Sequence, residues 1–262
     1  MKQKIYQIDA FASDLFKGNP AAVCVMDEWL PDDIMQSIAE ENNLAETAFT
    51  VLENGSYTLR WFTPETEVDL CGHATLATAY VLFNYYDHQE NTIRFYSPRS
   101  GELIVTNAGS GLISLDFPTD EIAKIESVSA INQAIGQSPL ETFKGKTDYM
   151  LVYGSQKEIE SLNPNYFLLD QIDCRGVIAT APGDEVDFVS RFFAPKCGIP
   201  EDPVTGSAHT TMTPYWSKKL GKEILSAKQL SHRGGDLKCE DLGNRVKISG
   251  RAVPYLVGEI EL

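Results

Sequence analysis

"RWFTPETEVDLCGHATLATAY", residues 60–80, carries the reading on which the fold turns. Its first five residues, Arg60-Trp61-Phe62-Thr63-Pro64, return about half a chain later as Arg191-Phe192-Phe193-Ala194-Pro195. Its Cys71-Gly72-His73-Ala74 is then answered, in the same order, by Thr205-Gly206-Ser207-Ala208. One five-residue echo is weak, but two in one order at this spacing point to a duplicated unit. In each copy the glycine opens a helix-like stretch, "ATLATAYVLFNYY" and then "SAHTTMTPYWSKKLG". The sequence predicts two similar halves whose helix starts face a shared cleft.

Around these stretches short alternating runs read as strands: "KIYQIDAF", "AAVCVM", "TAFTVL", "YTLRWF", "TIRFYS", "ELIVT" and "LISLDF". "LPDDIMQSIAEENN" reads as a helix with Pro31 as first helical residue and Asp32 and Asp33 in its first turn. Its apolar face is Ile34, Met35, Ile38 and Ala39, and Asn42 or Asn43 supplies the left-handed stop. "ATLATAYVLFNYY" is apolar nearly all round, so it is expected inside a curved sheet. "EIAKIESVSAINQAIG" reads as a further helix, and "YMLVYG", "CRGVIATAP" and "VDFVSRFFAP" as further strands. The boundary between halves is expected near residues 118–121.

A chain of 262 residues with 37 acidic against 22 basic side chains, net charge -15, does not suit nucleic acid, whose phosphates need clustered Lys and Arg. A small anion is still compatible, because free N–H groups at a helix start bind one without net positive charge. Cys24, Cys71, Cys174, Cys197 and Cys239 are odd in number and lack metal-ligand spacing, which argues against a disulfide framework or a zinc site. The start has no apolar run of the signal-peptide kind, and no stretch is long enough to span a membrane. A cytoplasmic location is expected.

Gly72 and Gly206 let the backbone approach a ligand at two helix starts, although either alone also serves simply to relieve crowding. His73 at a helix N-terminus is expected to have a lowered pKa and act as a neutral donor or relay; a lone histidine is more often structural. His209, one turn beyond Gly206, reads more strongly as structural. Glu46 is odd in "NNLAETAFTVL": pointing outward it is a surface charge, and pointing inward, burial would raise its pKa toward neutrality and suit it to general acid/base work. Asp202, stiffened between two prolines, is placed to orient a substrate amine or hydroxyl. Ser207 either caps its helix or bonds a ligand. Cys71 is either inert packing or, beside a helix start, an activated thiol. The matching "DPVTGS" offers no second thiol, which disfavours a symmetric two-thiol mechanism.

Five ordered stretches, "DAFASDLFKGNPAAV", "ENNLAETAF", "LRWFTPETEVDLCGHATLATAYVLF", "FFAPKCGIPEDPVTGSAHTTMTPYW" and "LSHRGGDLKCE", together resemble the PhzF-like (phenazine biosynthesis-like) family, of the diaminopimelate epimerase-like fold. The resemblance implies an α+β chain of two similar domains, each a curved, mostly antiparallel, barrel-like sheet around a central helix. The first would hold residues 1–118 with a returning strand at about 251–262, the second residues 119–250, and the active site would lie between them. It implies an isomerase that moves a proton between carbons of a small carboxylate-bearing metabolite, with no metal or organic cofactor, commonly as a homodimer. By motif position Glu46 matches the general acid/base, His73 and Asp202 the surrounding catalytic groups, and Gly72, Gly206 and Ser207 the substrate-binding helix starts. Thr210 departs from the cysteine more usual after "GSAH". An amino-acid epimerase using Cys71 as a base, or a binding protein that has kept the fold without the reaction, are the alternatives.

Overall fold

Residues 2–53, 55–86 and 88–262 are described by the computed structural model. Lys2–Ala10 (β1) and Asn19–Met26 (β2) pair antiparallel, Tyr6 opposite Val23. A helix, Asp32–Asn42 (α1), then carries the chain to Glu46–Glu53 (β3), parallel to β2 with Ala21 beside Glu46. Ser56–Phe62 (β4) turns back along β3, and Glu67–Val68 (β5) pairs briefly with it. Gly72–Tyr85 (α2) leads to Thr92–Ser97 (β6), parallel to β4, followed by Gly101–Gly109 (β7) and Leu112–Pro118 (β8).

The chain continues through Ala123–Ile125 (β9), Ser129–Ile135 (α3), Glu141–Lys144 (β10) and Asp148–Val152 (β11). Two short helices, Gln156–Ser161 (α4) and Tyr166–Asp170 (α5), precede Gly176–Pro182 (β12), parallel to β11. Phe188–Ala194 (β13) and Ile199–Glu201 (β14) follow, then Gly206–Leu220 (α6). Ile224–Gln229 (β15) is parallel to β13, and Gly235–Asp241 (β16) and Arg245–Gly250 (β17) come next. The last strand, Ala252–Glu261 (β18), runs antiparallel along β1 from Ala10 opposite Ala252 to Lys2 opposite Glu261.

Two compact units result: the chain up to Asp116 together with Ser249–Leu262, and Phe117–Ile248. The pairing sequence of the first unit recurs in the second. The parallel step β2–β3 is matched by β11–β12, the turn β3–β4 by β12–β13, and the parallel step β4–β6 by β13–β15. The edge pairing β1–β18 is matched by β10–β9. The repeat seen in the sequence is therefore a repeat of topology.

In the first unit the strands are apolar on both sides because both faces are covered. Ala22, Cys24, Phe49, Val51 and Phe62 join Met35, Ile38 and Ala39 of α1 in one core. On the other side α2 packs against β1, β2, β3 and β18, burying an unbroken run from His73 to Ala79. In the second unit α3, α4 and α5 close a core with Leu151, Val177, Ala179, Val189 and Phe193, while α6 packs against β11, β15 and β16.

Three local expectations need correction. Pro31 is the N-cap of α1, not its first turn: with ψ 144° it is still extended, and Asp32 begins the helix. Ile34 is 37% exposed, so the buried face of α1 is Met35, Ile38 and Ala39. "EIAKIESVSAINQAIG" is not one helix. Ala123–Ile125 pairs with Lys144–Thr142 of β10, Val128 is extended, and helix begins only at Ser129. The i, i+3 spacing of Ile122 and Ile125 mimicked a helical face, but sheet pairing decided the backbone. At the end of α1, Asn43 takes the left-handed conformation (φ 47°, ψ 37°).

Candidate active site

Glu46 is the first residue of β3 and His73 the second of α2, so the parallel step from β2 and the start of the buried helix set their spacing. Glu46 Oε2 lies 3.2 Å from His73 Nε2, with only 19% and 7% of the two side chains exposed. Asn19, first residue of β2, places its amide Nδ2 3.2 Å from His73 Nδ1. Cys71 completes the group, its Sγ 3.4 Å from Nδ1 and 3.9 Å from Nε2 of the same imidazole. Cys71 itself is the extended N-cap of α2 (φ -139°, ψ 108°) and makes no side-chain cap bond. Thr75 spends its hydroxyl on the Cys71 carbonyl at 2.6 Å.

The electrostatics run against the expectations for Glu46 and His73, and side with the inert alternative for Cys71. Burial pushes the Glu46 pKa up, but the adjacent His73 imidazolium outweighs it and the net direction is down. Burial likewise disfavours charge on His73, but Cys71 and the Glu46 carboxylate hold its pKa well above 6.5. The helix start does not leave this histidine neutral, because a carboxylate in contact acts more strongly than a partial dipole. Burial and the neighbouring Glu46 push the Cys71 thiol up to about 11. It is not an activated thiol. The resting pair is carboxylate and imidazolium, one ready to take a proton and the other ready to give one.

The second unit builds a different arrangement on the same plan. Asp202 follows β14, is 8% exposed, and accepts from Thr205 Oγ1 at 2.5 Å. Buried Gln229 fixes this loop, accepting from Thr205 N at 2.9 Å and donating to the Asp202 carbonyl at 2.8 Å. Ser207 does not cap α6: the N-cap is Thr205, and Ser207 is the second helical residue. Its Oγ accepts from Arg175 Nη1 at 3.0 Å. Arg175 is anchored by Asp148, 2% exposed, through Nε at 2.9 Å and through Nη2.

His209 donates from Nδ1 to the Thr205 carbonyl at 2.8 Å, doing for α6 what Thr75 does for α2. Burial lowers its pKa to about 4, so it is neutral structure. Thr210 bonds back to the Ser207 carbonyl at 2.7 Å, and its own carbonyl accepts from Asp120 N at 3.4 Å.

The structure thus brings Glu46, His73 and Gly72 together in the first unit, and Asp202, Gly206 and Ser207 together in the second. Sequence reasoning missed Asn19, Arg175, Asp148 and Gln229. Asn19 stands in the quoted "FKGNPAAV" and Arg175 in "CRGVIATAP". An Asn that opens one strand and an Arg just before another were the available signal. Among the described residues, no helix is long and apolar enough to cross a membrane.

Comparison with known proteins agrees with this geometry. A family model described as phenazine biosynthesis-like protein matches residues 8–258. An uncharacterized isomerase of Pseudomonas aeruginosa is 49% identical over the whole of both chains. The crystal structure of a PhzF-family phenazine biosynthesis protein from Enterococcus faecalis superimposes with TM-score 0.97 at 50% identity, covering all of both chains. At fold level only, a predicted epimerase of Pseudomonas aeruginosa matches with TM-score 0.72 and 19% identity over 99% of each chain. The α+β architecture is that of the epimerase-like fold.

Proposed function

The chain belongs to the phenazine biosynthesis-like family, and from that premise we propose that it is an isomerase moving a proton between carbons of a small carboxylate-bearing metabolite. The observation that carries the reading is the buried 3.2 Å contact between Glu46 and His73. A carboxylate held ionised beside an imidazolium takes a proton from one carbon, and either group returns one to another. Free N–H groups at the Gly72 and Gly206 helix starts bind the substrate carboxylate or stabilise enolate charge as it develops. Asp202 and Ser207 orient the remaining polar groups, with Arg175 holding the serine hydroxyl in place. That the relatives include proteins named as isomerases supports the reaction class. It leaves the substrate to experiment.

The test starts from a thermal-shift screen of small carboxylates, followed by NMR of each hit in deuterated water. Glu46→Gln is expected to slow deuterium incorporation by about 10²–10⁴-fold while the thermal shift persists. Undiminished exchange in that variant would overturn the assignment.

The family resemblance also leads us to propose a homodimer. Phe16, Tyr255 and Val257 supply an exposed apolar surface on the first unit suited to a second copy.

A further inference from the structure

Thr205 is the N-cap of α6, a position where threonine ordinarily accepts from a backbone N–H in the first turn. Thr205 makes no such bond. Its Oγ1 lies 2.5 Å from Asp202 Oδ2 instead, in a loop where both residues are buried. Gln229, 0% exposed, meets them both, and burying an amide completely costs free energy unless its polar atoms are bonded. From these contacts we propose that Thr205 and Gln229 are positioning residues. They hold Asp202 as an ionised carboxylate that accepts, so that Asp202 takes an N–H or O–H of the substrate and leaves proton transfer to Glu46 and His73. For the reaction it serves, the inference rests on the isomerase reading above.

The direction of each hydrogen follows from one donor that cannot reverse. Thr205 N–H only donates, so the Gln229 atom 2.9 Å from it is the amide oxygen. The Gln229 nitrogen then donates to the Asp202 carbonyl at 2.8 Å and to Thr205 Oγ1 at 3.3 Å. A hydroxyl that already accepts from Gln229 turns its own proton to Asp202 Oδ2. An O–H···O distance of 2.5 Å is that of a bond to a charged oxygen. Such a bond favours the carboxylate over the acid, and the nearby Arg175 guanidinium acts in the same direction.

Further contacts keep the loop in register. With Gln229 on its N–H and His209 Nδ1 on its carbonyl at 2.8 Å, the backbone of Thr205 is held at both ends. Ser231 Oγ donates to the Pro203 carbonyl at 2.7 Å, tying down the residue after Asp202. Glu201, the residue before it, is neutralised by the Arg191 fork. The matching N-cap of the first unit, Cys71, places its side chain against His73 instead. One position in the repeat thus serves an acid/base pair in one unit and a fixed acceptor in the other.

The test is an NMR titration of the full-length protein with carbon-13 in its aspartate carboxyls, the Asp202 signal being assigned by its loss in Asp202→Asn. Thr205→Val keeps the shape and the backbone N–H but removes the hydroxyl, and is expected to raise the Asp202 midpoint by about one pH unit or more. Thr205→Ser, which keeps the hydroxyl, is expected to restore it. Gln229→Met, which removes the donor that directs that hydroxyl, is expected to raise it as well. An unchanged midpoint in Thr205→Val or Gln229→Met, or an equal rise in Thr205→Ser, overturns the inference. So does a wild-type Asp202 that is still protonated at about pH 7, far above the ordinary aspartate range. Should Thr205→Val fail to fold, Thr205→Ala takes its place beside Thr205→Ser with the same expected rise. None of these readouts uses the substrate, so the inference and the proposed isomerisation fail separately.

Discussion

Glu46 Oε2 and His73 Nε2 stand 3.2 Å apart, and each shifts the other in the direction that keeps both charged. Because the Glu46 pKa is lowered by folding, its share of stability is present above 4.5 and lost as pH falls through the folded value. Because that of His73 is raised, its share is present below 6.5 and lost as pH rises through the folded value. The melting-temperature advantage of wild type over His73→Gln is therefore expected to peak between these two values and decline on both sides. A difference that does not vary with pH would contradict the ion pair.

Cys71→Ala separates the carboxylate mechanism from a thiol one. With its pKa pushed up to about 11, Cys71 is a neutral thiol near pH 7. Solvent exchange in this variant is expected to stay within about tenfold of wild type, whereas a general base would be worth 10²–10⁴-fold, roughly. A loss of that larger size would make the thiol the base.

Gly18 is the next test, since its φ of +66° is left-handed and an added Cβ would fall 2.1 Å from the Ala10 carbonyl oxygen. Neither the backbone nor Ala12 beside it can yield cheaply. Gly18→Ala should destabilise the chain by about 2–4 kcal/mol in urea unfolding. Since Asn19 follows directly, the variant should also slow exchange, by disturbing the amide on His73 Nδ1. Full stability would show that the turn has room to open.

Sedimentation equilibrium addresses the proposed dimer. Phe16 and Tyr255 are 65% and 49% exposed, with ring centroids 5.9 Å apart. Phe16→Asp combined with Tyr255→Asp should halve the mass of the wild-type species without lowering its melting temperature at high dilution. A dimer that survives the double substitution would place the interface elsewhere.

Much of the fold was legible because the repeat carries its own local chemistry. Arg60 forks onto Glu67 at 2.8 and 3.0 Å and lies over the Phe62 ring. Arg191 forks onto Glu201 at 2.7 and 2.8 Å and lies over Phe193. The echo of Arg-aromatic-Phe in the sequence is thus the visible end of a clamp made twice. Gly72 and Gly206 were legible for the same reason, since each begins the helix its half is built around.

The charges at the site were less legible. That Glu46 meets His73 depends on contact across 27 positions, and Arg175 meets Ser207 across 32. Burial alone, which a sequence suggests, gave the wrong sign for Glu46, because its partner decides the balance. The two halves also differ where they match in position. A carboxylate at the start of β3 reaches the second residue of α2, whereas a guanidinium just before β12 reaches the second residue of α6.

The pairing of β18 along the whole of β1 has a consequence for synthesis. The strand that pairs with β1 is Ala252–Glu261, so the sheet of the first unit is finished only after residues 252–261 have been made. Phe117–Ile248 is contiguous and has every strand it needs sooner. Vectorial synthesis should therefore complete the second unit first, with the strands that carry Glu46 and Asn19 waiting on the last stretch to emerge. Emergence of β18, rather than of Glu46 or His73, becomes the event after which the first unit can close.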